Sequence, residues 1–104
     1  MDLPLSDRVL TRAEVTLLLA LYFPRDAIDH IADIAFLESA YHTGAWNQSG
    51  EDSRGLLQVN VNAWPDYAAW NLFDPQLNAY FAGLIYAQQG YAAWYNSAKS
   101  LGLI

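Results

Sequence analysis

The sequence predicts a small α+β domain, mostly helical with one short β-hairpin. Three observations predict it. Two helix-start signals, Thr11-Arg12-Ala13-Glu14 and Asp74-Pro75, each precede an apolar run. An apolar stripe at helical spacing occupies the C-terminal third, and between the helical parts a turn-rich segment runs into the alternating stretch Leu56-Leu57-Gln58-Val59-Asn60-Val61. With 104 residues, 54% of them hydrophobic and 15% charged, the chain has enough apolar surface for one core, so residues 1–104 are read as one domain.

Thr11 to Glu14 has the pattern of a capping box, in which a Thr hydroxyl and a Glu carboxylate satisfy free amides at a helix start, so a first helix is expected over Val15 to Tyr22. Phe23-Pro24 ends it, because proline disfavours helical geometry in the residue before it. Pro24 then opens a second helix, with Asp26 near its positive end, that runs to about Tyr41. Turn-formers from Trp46 to Gly55 followed by the alternating stretch predict a loop or small hairpin. Beyond Pro65 the chain turns helical again and breaks at Asp74-Pro75, an N-cap and first-turn pair. Leu77, Tyr80, Phe81, Leu84 and Ile85 then form one buried helix face, with Gly90 as its end. A last short helix, Ala92 to Leu101, closes the domain.

The same composition excludes several functions. Without cysteine there is no disulfide framework, thiolate nucleophile or Cys-based metal site. A net charge of −6, with Arg8, Arg12, Arg25, Arg54 and Lys99 scattered, argues against a nucleic-acid binder. Asp2 and Asp7 stand where a signal peptide carries basic residues, so no secretory signal is read, and the apolar run Val15 to Phe23 is far short of the roughly 20 residues of a membrane span. His30 and His42 are twelve apart and outside the His-Glu-x-x-His spacing, so neither a metal nor another cofactor is expected.

Glu38 is the informative acid. It follows Ile28, Ile31 and Ala35 at helical spacing, so it continues an apolar stripe, where burial raises a carboxyl's pKa toward the range of a general acid; the same spacing also fits a solvated carboxylate just past the buried part. Glu51 and Asp52 face Glu38 across a cleft if the turn-rich segment folds back, the paired arrangement of glycoside hydrolysis, and are otherwise a solvated acidic turn. Gln58 and Asn60 share a strand face, and their amides suit either sugar hydroxyls and N-acetyl groups or an exposed edge. Trp64, Tyr67 and Trp70, then Tyr86, Tyr91, Trp94 and Tyr95, supply rings that stack on sugars or build the core.

In chain order, Ile34-Ala35-Phe36-Leu37-Glu38-Ser39, Gly55-Leu56-Leu57-Gln58-Val59-Asn60, Leu72-Phe73-Asp74-Pro75 with Asn78-Ala79 and Ile85-Tyr86, and Gln89-Gly90-Tyr91-Ala92-Ala93-Trp94 resemble the lysozyme-like superfamily, in particular its lytic transglycosylase and goose-type lysozyme branch, with the last element similar to phage and actinobacterial members. The resemblance covers about residues 27–96. It implies that Glu38 protonates the glycosidic oxygen of the β-1,4 bond between N-acetylmuramic acid and N-acetylglucosamine. Ser39 then orients Glu38 or the substrate's N-acetyl group, while Gln58, Asn60, Tyr86 and Tyr95 line the sugar groove. Asp52, with Glu51 beside it, is the water-positioning or electrostatic partner in the goose-type manner; transglycosylases instead use one Glu and the substrate's own N-acetyl group, leaving a 1,6-anhydro product. Tyr95-Asn96-Ser97-Ala98 stands where transglycosylases carry Tyr-Asn-Ala-Gly, without the glycine.

The implied partner is the peptidoglycan glycan strand, with chitin-type oligosaccharide as a secondary substrate, for a monomer acting at the bacterial cell wall. Phage delivery, release through host lysis, or excision from a larger protein is expected for a chain without a signal. A glycan-binding module that does not cleave is the alternative, and a helical interaction protein a third reading. Charge repulsion from an anionic wall is screened beyond about 8 Å at physiological salt, so amides and aromatics can still hold a neutral glycan backbone, with weak binding by the domain alone.

Overall fold

The computed structural model describes residues 8–104; Asp2 and Asp7, on which the absence of a signal was read, lie outside them. Helix α1 (Arg12–Leu19) starts on the capping box, with Glu14 N donating to Thr11 Oγ1 at 3.1 Å and Thr11 N donating to Glu14 Oε1 at 2.9 Å. It stops a turn earlier than the sequence implied. The chain tightens ahead of Pro24, Leu21 and Tyr22 N–H reaching carbonyls three residues back at 3.2 and 3.0 Å. Pro24 precedes a single 3-10 turn, Arg25–Ala27, and only then does α2 (Ile28–Ser39) begin.

Helix α2 also ends before Tyr41. Ala40 and Tyr41 both lie in the left-handed region, at φ 52° and 64°, a conformation that costs non-glycine residues on the order of 1–3 kcal/mol each. Anchors hold the bend: Tyr41 is buried, its ring 5.4 Å from that of Phe36, and its hydroxyl donates to Ala32 O at 3.1 Å. The chain therefore passes from Glu38-Ser39 straight toward the sheet.

The expected hairpin has a third strand. β1 (Trp46–Asn47), β2 (Ser53–Arg54) and β3 (Val59–Asn60) pair antiparallel in that order, with Trp46 opposite Arg54 and Arg54 opposite Val59. The β2–β3 turn makes this possible. Gly55 sits at φ 78°, and a Cβ there would lie 2.2 Å from Leu72 O and 2.5 Å from Asn78 Nδ2, so only glycine fits. Leu56 and Leu57 then enter the core fully buried.

Pro65–Ala69 forms only a 3-10 turn, not the helix expected after Pro65. Asp74 caps α3 (Pro75–Gln89) as expected, accepting from Gln76 N at 2.9 Å and Leu77 N at 3.5 Å. The buried face of α3 is rotated from the expected stripe: Phe81 and Ile85 are buried with Asn78, Ala79 and Ala82, whereas Tyr80 and Leu84 are 43% and 39% exposed. The α1–Pro24 corner approaches α3 closely on another side, where a Cβ on Gly83 would meet Tyr22 O at 2.8 Å and the Tyr80 ring lies 5.7 Å from that of Tyr22. Gly90 ends α3, a 3-10 turn (Gly90–Trp94) takes the first part of the expected last helix, and α4 (Tyr95–Ser100) completes it. No helix among the described residues is long and apolar enough to cross a membrane.

Candidate active site

Glu38 lies on the last turn of α2, below Ile31, Ile34 and Ala35, which are fully buried. The stripe carries the carboxyl into a cleft of about 270 Å³, walled by Glu51, Gln58, Asn60, Trp94 and Tyr95. Glu38 is itself half-buried. Burial pushes its carboxyl above the usual range; the Ser97 hydroxyl, donating to Oε2 at 2.6 Å, pulls it back, and the negative charge of Glu51 pushes it up again.

Different partners separate the two acids of the β1–β2 turn. Glu51 shares a side with Ser53, whose hydroxyl donates to Glu51 Oε2, and both line the cleft, while Asn47 Nδ2 reaches Glu51 Oε1 at 3.3 Å. Asp52 shares the other side with Arg54. Arg54 Nε and Trp46 Nε1 donate to Asp52 Oδ1 at 2.9 and 2.8 Å, Arg54 Nη2 donates to Oδ2 at 2.9 Å, and these bonds hold the carboxyl down at about 2. Asp52, the acid favoured from the sequence as the partner of Glu38, does not line the cleft; Glu51 does.

Gln58 and Asn60 both line the cleft, yet each is partly committed to the backbone. Gln58 takes φ 51° and its Nε2 donates to Ala45 O at 3.1 Å and Gly55 O at 3.0 Å; Asn60 Oδ1 accepts from Asp52 N at 3.3 Å and Asn62 N at 3.0 Å. Their remaining polar atoms, the Gln58 carbonyl oxygen and the Asn60 amide nitrogen, are the ones available to a ligand. Ser39 is brought near but used differently: its one hydroxyl proton is shared between Ala35 O at 3.0 Å and Leu56 O at 2.7 Å, tying the end of α2 to the β2–β3 turn. It fixes the segment bearing Glu38 and does not line the cleft. Tyr86 is not brought there either. Its ring packs 5.5 Å from Phe23 and 5.3 Å from Tyr91, whose hydroxyl is pushed up to about 12 by burial and by Tyr86. Tyr95 does wall the cleft, with Lys99 Nζ 5.7 Å from its ring centre.

Sequence reasoning missed Ser97 and Gln89 and left Trp64 and Trp94 among the rings that stack on sugars or build the core. Ser97 was visible only as the third residue of the altered Tyr95-Asn96-Ser97-Ala98 element. Trp94, buried, donates from Nε1 to Leu57 O at 2.7 Å and so fixes one wall. Trp64 and Gln89 belong to a second compartment of about 210 Å³ that continues the cleft, sharing Gln58, Asn60, Ala93 and Trp94 with it. Trp64 had been noted as a spaced aromatic; nothing in the spacing of Gln89 marked it. The second compartment has no charged residue in its lining. Among the described residues no group of three or more His, Cys, Asp or Glu is disposed to hold a metal ion.

A half-buried glutamate at a helix end, facing a second across an amide- and aromatic-walled groove beside a small antiparallel sheet, is the arrangement of a lysozyme-like domain. The chain belongs to the lysozyme-like domain family, whose model matches residues 16–95. Membership carries a glycosidase-type or glycan-binding function in general terms and a glycan as the molecule held. No curated protein matches the sequence.

Proposed function

We propose that this domain is a muramidase that cleaves the β-1,4 bond between N-acetylmuramic acid and N-acetylglucosamine in peptidoglycan strands, with Glu38 as the general acid. The observation that carries the reading is the state of Glu38: half-buried, raised by burial and by Glu51, and open to the cleft. A raised carboxyl keeps its proton nearer to neutral pH and delivers it to the leaving glycosidic oxygen. As the bond breaks, positive charge grows at the anomeric carbon, and Glu51 stabilises that charge and orients the water that attacks it. Gln58, Asn60 and Tyr95 hold the sugars, and the uncharged compartment at Trp64 and Gln89 takes a further neutral sugar unit.

Transglycosylation is supported as a second reading by the clamp on Asp52, which leaves one hairpin carboxylate instead of two to manage water. Both reactions begin with the same proton transfer from Glu38. Mass spectrometry of the products separates them, reducing ends marking hydrolysis and 1,6-anhydro ends transglycosylation. Glu38→Gln removes the acid at constant size and abolishes turnover; retained cleavage by that variant, folded at the assay temperature, would overturn the assignment of Glu38, and saturable glycan binding without products by the wild type would make the domain a binding module. Chitin oligosaccharides, sharing the β-1,4 N-acetylhexosamine repeat, are the secondary substrate to test.

A further inference from the structure

We propose that Ser97 is a positioning residue for Glu38: its hydroxyl occupies Oε2, leaves Oε1 as the oxygen that carries the proton into the cleft, and makes the acid's competence depend on docking of α4. The proposal rests on the reading of Glu38 as the general acid. Three observations carry it. The Ser97 Oγ to Glu38 Oε2 contact, at 2.6 Å, joins residues 59 apart in sequence. Ser97 is only 8% exposed, so water competes little for its proton. Its neighbour Ala98 is fully buried in the core, which seats α4 against it.

The chemistry favours a hydroxyl at this point. A Lys or Arg beside Glu38 would hold the carboxyl ionised and remove the acid. A serine hydroxyl donates to Oε2 whether that oxygen belongs to a carboxylate or to the carbonyl of a carboxylic acid, so it restrains geometry in both states and leaves most of the burial-driven elevation in place. The charged groups around the acid fit this division. Glu51 faces it from the sheet, and Gln58, Asn60, Ala93, Trp94 and Asn96, which complete the walls, are neutral. Lys99, the one cation of α4, is turned to the ring of Tyr95. Among the described residues no cation donates to Glu38.

The test compares wild type with Ser97→Ala, Ser97→Thr and Ser97→Cys by carbon NMR titration of the Glu38 carboxyl, by the pH profile of glycan cleavage and by thermal melting. Loss of the donor in S97A moves the Glu38 midpoint and the alkaline limb of kcat to higher pH. It also lowers kcat about tenfold, the equivalent of about 1.4 kcal/mol, with KM within about twofold. S97T restores both, and S97C, a weaker donor of similar size, falls between. An unchanged midpoint and kcat in S97A, or an S97T indistinguishable from S97A at equal melting temperature, overturns the proposal. The titration needs no turnover, so a wild-type protein that cleaves nothing while S97A still moves the Glu38 midpoint would overturn the general-acid reading and leave the Ser97–Glu38 coupling standing.

Discussion

Arg54 grips Asp52 at two points, Nε to Oδ1 and Nη2 to Oδ2, both at 2.9 Å, and with Trp46 it holds that carboxyl at about 2. An acid so strongly ionised and turned from the cleft is a poor proton acceptor and serves as a clamp on the sheet. Asp52→Asn is therefore expected to keep the pH dependence of cleavage, whereas Glu51→Gln, inside the cleft, lowers kcat. The folded carboxyl lies below its ordinary value of about 3.9, so its contribution to stability is present above that value and is lost as pH falls through about 2. Melting curves should show D52N less stable than wild type at pH 7, with the difference shrinking toward pH 2. A changed cleavage profile in D52N would return Asp52 to the catalytic machinery.

Glu38 has the opposite sign. Its folded pKa is raised, chiefly by burial, so the ionised form costs stability once pH exceeds the folded value, and the cost vanishes below the unfolded value of about 4.3. Glu38→Gln should melt higher than wild type at pH 7 and converge with it near pH 4. Equal melting temperatures at both pH values would show that the carboxyl is not held in an unfavourable environment.

The parts of the fold that were legible in the sequence are those fixed by local chemistry. The Thr11–Glu14 box and the Asp74 cap depend on side chains within three residues of one another and appear as expected. Long-range packing decided the rest. The buried face of α3 centres on Asn78, Phe81, Ala82 and Ile85 instead of Tyr80 and Leu84, and no periodicity within α3 records either the bonds Asn78 makes to the β2–β3 turn or the approach of Tyr22 to Gly83. The site divides in the same way. The stripe and the Glu-Ser resemblance together singled out Glu38, whereas Glu51 and Asp52 lie in the β1–β2 turn, where no strand period assigns either to a side. Long-range packing decides that Glu51 and not Asp52 faces Glu38, and Ser97 is joined to it across 59 residues.

Trp64 half-stacks on Tyr67, the rings 5.6 Å apart and 5° from parallel, and borders the uncharged second compartment. On the proposed function, a disaccharide is held at Glu38 and a tetrasaccharide also fills that compartment. Trp64→Ala, in the E38Q background to prevent turnover, should weaken binding of N-acetylglucosamine tetramer by about two- to tenfold, the range of a single aromatic contact of about 0.5–1.5 kcal/mol. Disaccharide affinity should be unchanged. Calorimetry with both lengths checks it, and an equal loss for both would mean that Trp64 supports the fold and not a sugar.

Asn78 is fully buried and bonds three separate backbone groups: its Oδ1 accepts from Leu57 N at 2.9 Å, and its Nδ2 donates to Arg54 O at 2.8 Å and Leu72 O at 2.9 Å. It thereby pins the β2–β3 turn, one residue before Gln58, to the start of α3. Asn78→Ala removes all three bonds and leaves Leu57 N and Leu72 O buried without a partner, and with a buried unsatisfied group costing about 1–3 kcal/mol the loss should be on the order of 3 kcal/mol or more. At about 4–8 °C per kcal/mol for a domain of this size, melting should fall by more than about 10 °C. Asn78→Asp gives the sharper test. Its carboxylate would confront two carbonyl oxygens, which raises its folded pKa, so this variant should be most unstable at neutral pH and recover as acid protonates it and restores one O–H donor. Because the same turn carries Gln58 into the cleft, glycan affinity should fall in step with melting temperature in both variants; affinity preserved in N78A at wild-type level would show that the turn is held by its own backbone and not by Asn78.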